Sequence, residues 1–157
     1  MKKIQTILIP TDLSRVSLCA IDCALPFAAQ SHATIYLIHV INQANDLQDI
    51  TAWSRDQSPM MCSCTLQNEL ETYFFGQFHR YDNIVYIIRR GEEAVEILRY
   101  AEEKAIDLIV MATHGKTSCA DNVVGAVAEQ MLRKSTVPII LVHSMKARNF
   151  MANRISL

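Results

Sequence analysis

The stretch at 111–127, MATHGKTSCADNVVGAV, carries the residues best suited to chemistry in this chain. It starts in an apolar run that reads as a strand and leads into a helical pattern over about 121–134. A strand-to-helix loop with glycines can aim backbone N–H groups at phosphate oxygens, helped by the helix N-terminus. Gly115 and Gly125 are two of only four glycines in the chain. Gly125 falls inside the helical pattern, where glycine costs up to about 1 kcal/mol against alanine. A glycine there suggests that something approaches the backbone closely; tight helix–strand packing is the alternative. Lys116 could contact a phosphate, although a loop lysine is more often simply solvated. Cys119 lies where a helix N-terminus could lower its thiol pKa, although a small residue that merely fits is the plainer account.

Other chemistries find less support. His114-Gly115-Lys116-Thr117 contains the Gly-Lys-Thr of a P-loop, but that motif also needs a glycine five residues before Gly115, where Val110 stands. Cys62 and Cys64 suggest metal, yet no second pair at zinc-like spacing follows them. Ser14 and Asp12 are explained by a turn, and a third member of a Ser–His–Asp set cannot be assigned from sequence order. Beyond Asp12, no paired carboxylates fall where an active edge is expected. Metal-dependent hydrolysis would want more acidic ligands there.

The elements that must position these residues are legible from periodicity. Five short runs rich in Ile, Val and Leu occur at 6–10, 33–40, 84–89, 107–112 and 137–142. They lack clean polar alternation, as strands do when both faces are covered. Helical spacing appears at about 15–30 (Ala20, Cys23, Ala24 and Phe27 on one face), at 65–78, after Gly91 (Ala94, Ile97, Leu98, Ala101), and at 121–134 (Val124, Val127, Ala128, Met131, Leu132). Ser14 fits an N-cap, and Glu92 and Glu93 suit a helix start. The order is β-α-β-α-β-α-β-α-β. It predicts an α/β fold: an open parallel five-stranded sheet with helices on both faces. Ligands of such sheets bind beyond the carboxyl ends of the strands, where strand order reverses. Residues 41–64 lack periodicity and form a long loop, with a lid and a plain surface excursion left open as alternatives.

Composition bounds the rest. A chain of 157 residues, half of them apolar, suits one domain with a continuous core. Fifteen Lys and Arg against sixteen Asp and Glu give no basic excess, which argues against nucleic acid as a partner. No run of 18 apolar residues argues for a membrane span, and no signal peptide pattern is seen. The odd count of five cysteines, two inside a helical pattern, is simplest as reduced thiols in a cytoplasmic protein.

The chain resembles the universal stress protein family, whose nucleotide signature after the fourth strand is Gly-x2-Gly-x9-Gly followed by Ser or Thr. Gly115 and Gly125 have nine residues between them, and DLIVMATHG and VVGAVAEQMLRKSTVPIILV are similar to that family's carboxyl half. ILIPTDLS resembles its first strand and Asp-x-Ser turn, and LIHV the end of its second. The resemblance covers about 2–142, apart from 41–64, and implies one domain over 1–143 with a tail at 144–157. The implied fold is Rossmann-like, of the adenine nucleotide α-hydrolase type. By the same resemblance, Pro10, Thr11 and Asp12 would edge the adenosine side, and Val40 would offer backbone hydrogen bonds to adenine. Met111, Ala112 and Gly115 would line the phosphate loop, and Gly125, Ala126 and Val127 would present N–H groups to phosphates. Asp12 is equally well read as a turn cap, and Val40 and Met111 as core residues by type.

Two departures stand out. Ala112 occupies the place of the first glycine, and Ala126 that of the Ser or Thr. The lost hydroxyl alone is worth about 0.5–1.5 kcal/mol. The expected function is a stress-response or regulatory module that binds ATP or a related adenine nucleotide with Mg2+, more weakly than the full motif would, with no catalytic residue identified. A ligand-free dimerising scaffold and a small-molecule enzyme of the same fold are the alternatives. The run from Val137 to Val142 resembles the family's edge strand, so a homodimer through it is expected.

Overall fold

The computed structural model describes residues 3–42, 81–113 and 124–143. In chain order these form β1 (Thr6–Pro10), α1 (Arg15–Ser31), β2 (Thr34–Ile41), β3 (Ile84–Arg90), α2 (Glu93–Glu103), β4 (Leu108–Ala112), α3 (Ala126–Lys134) and β5 (Ile139–Val142). All neighbouring strands are parallel, in the order β3-β2-β1-β4-β5. The sheet therefore grows outward in one direction from β1 and in the other from β4, and the reversal lies between these two strands. The helix expected at 65–78, the loop at 41–64 beyond Asn42, and the cysteines at 62, 64 and 119 lie outside the described residues.

The continuous apolar runs have a simple cause. Side chains alternate between the two faces of a strand, and both faces are covered here. Ile7, Ile9, Ile35, Leu37 and Val110 pack against Ala20, Ile21, Ala24 and Ala28 of α1. Their neighbours Leu8, Ile38, Ile109 and Met111 point the other way, onto Ile97 and Tyr100 of α2 and Ala128 and Met131 of α3. The small residues of α1 let that helix lie close to the sheet. At the amino edge Asp107 Oδ2 accepts from the N–H groups of Gln5 and Thr6 at 2.9 and 3.2 Å, fastening β1 to the start of β4.

Two expectations about the helices are corrected. Helical spacing puts Phe27 and Leu132 on apolar faces, but they are 40% and 51% exposed. Each lies at the margin of its helix's apolar stripe, turned off the sheet. The last helix also starts at Ala126 rather than near Asp121, with Val124 already outside it.

α2 is entered through Gly91, whose φ of 146° is a conformation that side-chain-bearing residues rarely adopt. Its N–H donates to the Ile41 carbonyl at 3.0 Å. A Cβ at this position would lie 3.0 Å from Cγ of the buried Glu96. Gly91→Ala is expected to lower unfolding free energy by about 1–3 kcal/mol, measured by urea denaturation. An unchanged midpoint and slope would show that the turn relaxes without strain.

Candidate functional site

At the carboxyl edge the sheet opens between β1 and β4. The Thr6 carbonyl accepts from Asp107 N–H, whereas Thr11 N–H donates to Ile38. Even-numbered residues of β1 thus address β4 and odd-numbered ones address β2. Pro10 occupies an even position and has no N–H to give. The β1–β4 register accordingly runs only from Ile7↔Leu108 to Leu8↔Ile109, while β1–β2 pairing continues to Pro10↔Ile38. The missing donor falls at the reversal of strand order, where a crevice is expected.

The turn after Pro10 is fixed by a directed chain of hydrogen bonds. Ser17 Oγ gives its proton to the Ser14 carbonyl at 2.8 Å, so it must accept from Thr11 Oγ1, also at 2.8 Å. Thr11 Oγ1 in turn accepts from Leu13 N–H at 3.1 Å. Leu13 has a φ of 64°, a left-handed conformation uncommon for a leucine, which these bonds hold in place. Asp12 Oδ1 accepts from both the N–H and the hydroxyl of Ser14, at 3.0 and 2.5 Å. Ser14 Oγ then caps α1 by accepting from Ser17 N–H. That oxygen of Asp12 is thus engaged in the turn, in keeping with the plainer reading of this residue.

Val40 presents polar groups only through its backbone, since its side chain is buried among Ile38, Met111 and their neighbours. In β2, Thr34 N–H and the Ile38 carbonyl bond to β1, while Ile35 N–H and the Ile41 carbonyl bond to Asn83 and Gly91 on the other side. By this alternation the N–H and C=O of Val40 face the β1 side. They do so one step past the last paired residue of β1.

The residues expected to face phosphates lie at the end of β4 and the start of α3. Met111 is core by its side chain, and Ala112 closes the strand. Thr113, buried, donates its N–H to the Val142 carbonyl at 3.0 Å and accepts from Gly125 N–H at 2.8 Å. The start of α3 is thereby held against the ends of β4 and β5. Gly125 is the N-cap, not a helix interior residue, at φ −60° and ψ 153°. This conformation is open to any residue, so backbone freedom does not account for the glycine. Its N–H is taken by Thr113, which leaves Ala126 and Val127 of the three expected donors. The first N–H groups of an α-helix have no intrahelical partner, and the N-cap, a glycine, has no side chain to cap them. Gly115 and Lys116 lie outside the described residues.

Two groups at this edge escaped the sequence reading. Thr113 carries no motif of its own. His39 left a fainter signal, as the polar residue in the otherwise apolar end of β2, TIYLIHVI. Burial pushes the Cys19 thiol up, reinforced by the Asp22 carboxylate, and burial alone pushes Cys23 up, which disfavours both thiolates. Among the described residues no group of three or more His, Cys, Asp or Glu side chains could hold a metal, and no helix is long and apolar enough to cross a membrane.

Known proteins share this arrangement. The universal stress protein family matches residues 3–143. Universal stress protein MJ0531 of Methanocaldococcus jannaschii is 31% identical over 146 residues, covering 90% of this chain and 84% of that protein. Universal stress protein MJ0577 of the same organism is 27% identical over 152 residues, covering 88% and 94%. Its solved structure superposes with a TM-score of 0.65, covering 90% of this chain and 97% of that one. A universal stress protein in complex with cAMP is similar at a TM-score of 0.63 and 23% identity, covering 91% and 99%. From the match over nearly its whole length, and from the parallel sheet that opens between β1 and β4, the chain belongs to the universal stress protein family.

Proposed function

We propose that this chain is a regulatory module that responds to an adenine nucleotide, ATP or a close relative, taken up at the carboxyl edge between β1 and β4. Two features of this edge carry the reading: the N-terminal turn of α3 starts at a glycine that offers no side-chain cap, and the pairing of β1 with β4 stops at Leu8↔Ile109. Val40 supplies a donor and an acceptor on the base side, Pro10 to Asp12 border the sugar, and Met111 and Ala112 border the path to the phosphates. Ala126 and Val127 supply N–H donors to phosphate oxygens, where the helix dipole favours negative charge. The relative in complex with cAMP supports an adenine nucleotide as the class of ligand. Mg2+ would accompany the nucleotide, held by phosphate oxygens and water. Heat extraction of the purified protein, followed by chromatography and by calorimetry with added ATP, tests the reading. No nucleotide in the extract and no heat at millimolar ATP would favour a ligand-free scaffold.

The assembly proposed with it is a two-fold dimer through β5. Pro138 and Val142 turn their carbonyls toward β4, which leaves the N–H and C=O groups of Ile139 and Leu141 facing the open edge. Among the described residues no strand pairs with this edge, and an edge of this kind is a template for a second strand. Leu141→Pro removes one outward N–H and no bond to β4, a position where proline is tolerated. Light scattering is expected to give a dimer for the wild type and a monomer for this variant. A monomeric wild type at high micromolar concentration would refute the proposal.

A further inference from the structure

We propose that His39 is a positioning residue that keeps the backbone of Val40 available to the nucleobase; this rests on the proposed nucleotide site. Between β1 and β2 the backbone ladder ends with Thr11 N–H donating to the Ile38 carbonyl at 2.9 Å. In a parallel ladder the next rung would carry Val40 N–H to the Thr11 carbonyl. Among the described residues that rung is not made, and the strand pairing stops at Pro10↔Ile38. The His39 ring stands in its place, with Nδ1 2.8 Å from the Thr11 oxygen. A carbonyl only accepts, so Nδ1 carries the proton and donates, in either charge state of the ring.

The substitution has a chemical consequence. The Thr11 carbonyl is satisfied by a side chain, so the ladder does not consume Val40 N–H. That N–H and its carbonyl form a donor–acceptor pair directed past the end of β1. The turn after β1 is braced from two sides: Ser17 holds the Thr11 hydroxyl and His39 holds the Thr11 carbonyl. Removing the ring leaves the carbonyl seeking a donor, and Val40 N–H is the nearest one by strand register.

His39→Ala and His39→Asn test the assignment, the asparagine amide offering a donor close to the place of Nδ1. With His39→Ala, affinities for adenosine, AMP and ATP are expected to fall together by at least about tenfold, because all three share the base contact. His39→Asn should bind within about threefold of the wild type. Hydrogen exchange gives a second readout that needs no ligand. The Val40 amide should exchange at least about tenfold faster in the free wild type than in His39→Ala, where the rung can close. Equal ligand affinities in His39→Ala and wild type, no recovery with asparagine, or a Val40 amide already protected in the free wild type would each overturn the role. A wild type that binds no nucleotide overturns the proposed function instead, and the role of His39 is then decided by the exchange rates.

Discussion

Gly125→Val is expected to abolish measurable ATP binding while leaving the fold intact. Gly125 caps α3 in an ordinary extended conformation, so a side chain there causes no backbone strain. Glycine ranks with threonine as an N-cap and well above valine, so the stability cost should be about 0.5–2 kcal/mol. The loss of binding should be much larger. A branched side chain on the residue before Ala126 stands in the approach of a phosphate to the first free N–H groups. An affinity loss of at least about a hundredfold, or about 2.7 kcal/mol, is expected by calorimetry. Circular dichroism and thermal unfolding close to wild type would separate this from misfolding. Unchanged affinity would place the ligand elsewhere.

The second large effect is a gain. Ala112→Gly combined with Ala126→Ser restores the residue types found in the family signature. Ala126 is the first residue of α3 and is exposed, so a serine hydroxyl there can turn toward a phosphate without displacing core. Ala112 is the last residue of β4 and is buried, so its methyl is fixed at the strand end. Hydrogen bonds to charged groups contribute about 1.5–3 kcal/mol at best. The double variant should bind ATP at least about tenfold more tightly. AMP should gain much less, because its single phosphate need not reach α3. Equal gains for both, or none for either, would show that the two alanines do not face the β- and γ-phosphates.

The fold was legible because burial on both faces leaves its mark in single residues. Thr6–Pro10 is bounded as expected, and the other described strands differ by one or two residues at an end. The start of α3 was misread because Val124 continues the apolar spacing backward through the cap. Periodicity records which side is buried and not whether the backbone has begun to coil. The assigned cost of a glycine inside a helix is therefore never incurred at Gly125. Asp12 lies just past the end of β1 and Val40 near the end of β2, and what they can do there depends on the hydrogen bonds around them. Asp12 is engaged by Ser14 within a local turn, whereas the state of the Val40 backbone depends on where the pairing with β1 stops, which is set by register. Residue type alone does not reveal register. His39 was missed for the same reason: its role exists only relative to Thr11 on the neighbouring strand, 28 positions earlier.

The central place of β1 has a consequence for synthesis. One of its two neighbours is β2, which follows soon after it in the chain. The other is β4, and the bonds that fasten them join Thr6 to Asp107, 101 residues apart. At a translation rate of about 5–20 residues per second, β1 would leave the ribosome about 5–20 s before that partner. Until then one edge of a strand as apolar as ILI is uncovered, and local contacts cannot close it. The nascent chain should therefore engage holding chaperones through β1 and release them once β4 has emerged. Arrested chains ending before and after β4 would differ in crosslinking at Leu8, a residue with no exposure in the finished fold.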